Sequence, residues 1–103
     1  MNNKVFMAKL HWTQANEGGR LLPIPMNNEK YCPIVSVAGQ KLFNGSAYSL
    51  ICNNFKLLDD HNTFAYVRLL NAEEVPDILY IGAKIELYEG SKSVATGIIV
   101  ERI

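Results

Sequence analysis

Glu89-Gly90-Ser91-Lys92-Ser93-Val94-Ala95-Thr96-Gly97-Ile98-Ile99-Val100 reads as a tight corner that feeds a long strand. Glycine and small polar residues supply the corner at 89–93. Beyond it the chain divides into two alternating sets. Val94, Thr96, Ile98, Val100 and Arg102 stand on one face, and Ala95, Gly97, Ile99, Glu101 and Ile103 on the other. That period of two is the mark of a strand. A second corner, Glu17-Gly18-Gly19-Arg20, stands near the other end of the chain. Each corner places an acid, glycine and a base where two strands should meet.

Working outward, residues 4 to 12 alternate, with Phe6, Ala8, Leu10 and Trp12 sharing one face. This predicts a strand with a buried side. Thr13 to Gly19 turns the chain. Arg20 to Ile24 is apolar, but Pro23 and Pro25 limit ladder pairing and predict an edge or irregular strand. Asn27 to Lys30 is a loop. Tyr31 to Val37 reads as a strand with Pro33 near its start, and Ala38 to Gln40 as a turn. Lys41 to Phe43 and Ala47 to Cys52 flank Asn44-Gly45, a strong hairpin signal. Phe55 to Leu58, set off by Asn53-Asn54 and Asp59 to Asn62, suits a strand or a single helical turn. Thr63 to Leu70 alternates with apolar residues on both faces and predicts a central strand. Asn71 to Asp77 is a polar loop. Ile78 to Tyr88 is a strand that Gly82 should bend. No helical period of useful length occurs.

About six to eight short strands at roughly ten-residue spacing predict an all-β fold, a small closed antiparallel barrel. Closure removes sticky edges. The 103 residues make one domain, 1–103, long enough to bury a core without staples. Formal net charge is zero, which argues against a general nucleic-acid binder. The two cysteines, Cys32 and Cys52, are too few for a disulfide framework and are expected as buried free thiols. That usage, and the absence of a signal-peptide pattern or a long apolar run, predict a soluble cytoplasmic protein with no membrane segment.

The corners carry a resemblance. Ala8-Lys9-Leu10-His11-Trp12, four residues, Glu17-Gly18-Gly19-Arg20 and then Pro23 resemble the opening of the C-terminal β-barrel domain of elongation factor Tu. Residues 89–100 are similar to that family's last hairpin, which reads Glu-Gly-Gly-Arg-Thr-Val-Gly-Ala-Gly before an apolar run. Ala65 to Asn71 matches its penultimate long strand. The middle departs: Asn27 to Val37 replaces an aromatic and arginine-rich stretch, Leu21 stands where a histidine is usual, and Ser91-Lys92 where Gly-Arg is usual. The family's GTPase domain has no counterpart, and the chain lacks a Gly-x-x-x-x-Gly-Lys-Ser/Thr phosphate loop. No nucleotide is therefore expected.

In that family the barrel touches the tRNA backbone and packs on the GTPase domain. The resemblance implies an RNA- or partner-binding set of Arg20, Glu89, Gly90 and Lys92. Arg20 would contact phosphate, and Glu89-Gly90 would lie against the sugar backbone. The bland reading of Arg20 is an ion pair with a nearby acid such as Glu17. His11, His61, Cys32 and Cys52 show no metal-ligand spacing, so no metal or other cofactor is expected. Asp59-Asp60-His61 invites a general-base reading, but no nucleophile motif supports it. The expected function is that of a stand-alone, non-enzymatic binding module. It would dock a protein partner, one that ordinarily meets the full translation factor or a toxin against which it protects. The alternative is tRNA or RNA backbone binding through the two corners, which predicts an affinity that falls steeply with salt.

Overall fold

Alternation becomes burial in the computed structural model, which describes residues 4–38, 48–71 and 77–103. Strand β1 (Phe6–Trp12) turns Phe6, Ala8, Leu10 and Trp12 inward and Lys9 and His11 outward. It is followed by β2 (Ile34–Val37), β3 (Tyr48–Leu57), β4 (Asn62–Leu69), β5 (Lys84–Glu89) and β6 (Lys92–Arg102). These close in the order β1-β4-β3-β2-β5-β6, with every neighbouring pair antiparallel. The fold is thus a closed six-stranded antiparallel barrel. β1 lies between β4 and β6, and so joins the β3–β4 and β5–β6 hairpins into one cylinder.

Leu10, Val35, Leu50, Val67, Leu87 and Ile99 are fully enclosed in the interior. Each such side chain contributes about 1.5–3 kcal/mol relative to exposure. Gly97 stands opposite Leu10. A side chain there would meet the Lys9 carbonyl oxygen at 2.4 Å and Leu10 Cδ2 at 2.6 Å, so the missing Cβ lets Leu10 fill the core.

Several expectations change. Asn53-Asn54 does not interrupt the chain, and β3 runs through it to Leu57 as a strand rather than a helical turn. The reason is that the buried Asn54 has partners inside. Its Nδ2 donates to the Pro25 carbonyl at 3.2 Å, and its Oδ1 accepts from Thr63 Oγ1 at 2.7 Å. Trp12 Nε1 in turn donates to Thr63 Oγ1 at 2.9 Å. β4 is buried on one face only, through Thr63, Ala65, Val67 and Leu69. A barrel wall is one layer thick, and among the described residues no further layer covers Phe64 and Tyr66. They instead pack with Phe55, whose ring centroid lies 4.2 Å from that of Tyr66.

Arg20 to Ile24 forms no strand; this stretch crosses the barrel end and leads to a single bridge, Met26 to Asn54. β2 begins only at Ile34, yet the carbonyls of Tyr31 and Pro33 still accept from Cys52 and Leu50. Gly82 marks a turn before β5, and Ile78 and Leu79 are buried ahead of it. The Lys41–Phe43 strand, the Asn44-Gly45 hairpin and most of the 71–77 loop lie outside the described residues. Among the described residues no helix is long and apolar enough to cross a membrane.

Both cysteines are free, but Cys32 is exposed rather than buried. It alternates with Pro33, which takes the inward position. Burial pushes the Cys52 thiol up to about 12. An aromatic disulfide reagent at pH 8 is therefore expected to modify Cys32 at once and Cys52 only after denaturant is added. Absorbance of the released thiolate measures both phases.

Candidate functional site

The first corner is a short 3-10 turn, Ala15–Glu17, closed by Gly18 in the left-handed region at φ 89°. The Gly18 and Gly19 amides donate to the carbonyls of Ala15 and Gln14. Gly19 is buried and lies against the Thr13 carbonyl so closely that no side chain fits. This packing turns Arg20 back across the barrel end.

There the two corners meet. Arg20 Nε donates to Glu89 Oε2 at 2.6 Å, and Nη1 donates to the Pro23 carbonyl. The Tyr31 hydroxyl donates to the same Glu89 oxygen at 2.6 Å. The Tyr31 ring lies 5.4 Å below the guanidinium carbon and 6.0 Å from the Trp12 ring. The acid that Arg20 takes is therefore Glu89, not Glu17. With its side chain only 13% exposed, Arg20 is a latch between the corners. Gly90 and Lys92 sit beside Glu89 on the exposed hairpin, with Lys92 directly opposite Glu89 in the ladder. The sequence-derived set is thus one cluster, but its guanidinium already has two acceptors.

Tyr31 is the member that sequence reasoning missed. Burial, then the hydrogen bond to Glu89 and that carboxylate's charge, push its hydroxyl above the usual phenol range, while the Arg20 charge opposes them. The folded pKa exceeds the unfolded one, so the associated stability is full below about pH 10 and falls as pH rises above it. In an alkaline series the wild type is expected to lose stability above pH 10 more steeply than Tyr31→Phe. Urea midpoints between pH 9 and 11 test this.

Beside the latch lies a groove of about 720 Å³, lined among others by Trp12, Arg20, Leu22, Pro23, Leu57 and His61. Leu22 is 68% exposed and Leu57 52%, and the adjoining Leu21 is 80% exposed. The polar side of the groove is held in place. Asp59 Oδ1 accepts from the backbone amides of His61 and Asn62, and the His61 amide first, then the Asn62 side-chain amide, hold its carboxyl below the usual carboxylate range. His61 Nε2 lies 3.1 Å from the Gln14 amide nitrogen, and its ring meets His11 edge-on at 6.5 Å. Thr13, Asp60 and His61 all border the groove, and among the described residues no serine or cysteine lines it. The arrangement suits binding of an apolar body. Leu21-Leu22, an apolar pair in a glycine- and proline-flanked connector, was the signal in the sequence that could have marked this surface.

No protein-family model matches the chain, and no curated protein matches it significantly.

Proposed function

We infer that the protein is a non-enzymatic binding module that docks a protein partner at the latched end of the barrel. The observation that carries this reading is the exposure of Leu22 and Leu57 across one groove, with Leu21 beside them. Burying such side chains in a partner removes apolar surface from water at about 25 cal/mol per Å². The groove walls are pre-set, since Arg20 is tied both to Glu89 and to the Pro23 carbonyl. A pre-set surface loses less entropy on association. The likeness of both corners to the elongation factor Tu barrel supports a partner that ordinarily meets that translation factor. The pairing of Arg20 favours this reading over RNA, because phosphate would have to displace Glu89.

The test compares capture from lysate by the wild type and by Leu22→Asp/Leu57→Asp, with identification by mass spectrometry. One protein is expected to be enriched by the wild type and lost with the double variant. Enrichment that survives the variant, or none at all, counts against the reading. Loss of the signal on ribonuclease treatment favours RNA instead.

A further inference from the structure

The strand registers fix a row of residues around the outer wall. Lys56 on β3 stands opposite Phe64 on β4, and Phe64 opposite Lys9 on β1. Lys9 stands opposite Ile98 on β6, and Ile98 opposite Lys84 on β5. Residues directly opposite in a ladder share a face. The row therefore alternates cation and apolar side chain across five strands, with successive lysines about 10 Å apart. All three lysines are exposed, and none forms an ion pair among the described residues.

The wall is hollowed between Lys9 and Lys84. A groove of about 500 Å³ opens there beside Ile98, where Ser36, Ala38 and Gly97 leave room. Among the described residues its one acid is Glu86, whose Oε2 accepts from Ser93 Oγ at 2.5 Å. His11 also borders it, with Nδ1 3.1 Å from Asn62 Oδ1.

The geometry points to a docking surface for an acidic, apolar-alternating peptide segment of a partner protein. Its carboxylates meet Lys9 and Lys84, and an apolar side chain enters the groove between them. This rests on the protein-docking reading but uses a second groove that adjoins the first at His11 and His61. Charge complementarity selects the acidic segment. Nucleic acid fits less well. The chain carries no net positive charge, and the rings of Phe55, Phe64 and Tyr66 stack on one another rather than standing apart to receive bases.

Fluorescence anisotropy with a labelled Glu-Leu-Glu-Leu-Glu-Leu-Glu peptide tests it, beside a Lys-Leu counterpart and an oligouridylate. The acidic peptide is expected to bind at low salt and to weaken about tenfold or more in high salt. Lys9→Glu/Lys84→Glu should lower its affinity about tenfold or more, whereas Leu22→Ser/Leu57→Ser, which adds no charge, leaves it unchanged. If the charge reversal fails to fold by circular dichroism, Lys9→Gln/Lys84→Gln replaces it, with a smaller loss in the same direction. The inference is overturned if the acidic peptide does not bind, if the lysine variants bind as well as the wild type, if the leucine variant weakens binding, or if the oligouridylate binds more tightly. Absent peptide binding with intact leucine-dependent capture would remove this surface and leave the docking reading standing.

Discussion

Gly19→Ala is expected to lower stability by about 3 kcal/mol or more, the upper end of what overpacking costs. The new methyl would stand 2.0 Å from the Thr13 carbonyl oxygen and 2.6 Å from its carbon. Both are backbone atoms, and they cannot swing aside as a side chain can. Thr13 is also tied, because its amide donates to the Val94 carbonyl at 2.9 Å. Relief would therefore require moving the first corner off β6. For a domain of this size the loss corresponds to a drop in Tm of roughly 12 °C or more. Gly18→Ala supplies the internal comparison. Open space surrounds that position, and only its φ of 89° resists a side chain. It should cost about 1–2 kcal/mol. Thermal unfolding followed by far-UV circular dichroism orders the two variants. A Gly19→Ala protein as stable as Gly18→Ala would show that the corner does not press on Thr13.

The second large effect belongs to the latch. Arg20→Met removes the bond to Glu89 and the bond to the Pro23 carbonyl while keeping most of the apolar stem over Tyr31. Hydrogen bonds to charged groups contribute about 1.5–3 kcal/mol. The Glu89 side chain is 34% exposed and water partly compensates it, so a loss of about 2 kcal/mol is expected. Arg20→Met/Glu89→Leu should recover part of that loss, because no carboxylate is then left without its cation. Urea unfolding of the two single variants and the double variant gives the coupling directly. A coupling near zero would mean that the pair is a contact geometry with no energetic content. A substantial one makes Arg20 a structural residue first, and any effect of its variants on partner binding must then be measured on protein shown to be folded.

Strands were legible where one face is clearly apolar. Phe6, Ala8, Leu10 and Trp12 mark β1 because inward and outward positions alternate along any half-buried strand. The two glycine corners were legible for an equally local reason. Reading failed where a distant partner changes the meaning of a residue. Asn53-Asn54 looks like a strand break until Thr63 and Pro25 supply hydrogen bonds to Asn54. The aromatic face of β4 looks buried until the wall proves to be a single layer, which leaves Tyr66 exposed and stacked beside Phe55. Cys32 looks buried until the inward position passes to Pro33. In the candidate site, Arg20 and Glu89 were each visible, but their pairing across 69 positions was not.

The amino-acid sequence by itself determined the all-β character, the positions of the corners and the inward set of β1, because backbone torsions and side-chain alternation are properties of a few adjacent residues. Closure of the cylinder decided the rest. It carried Glu89 to Arg20 and Tyr31, left Leu22 and Leu57 uncovered on one groove, and aligned Lys56, Lys9 and Lys84 on the outer wall. Those contacts depend on strand order and register, which arise only when remote segments pair.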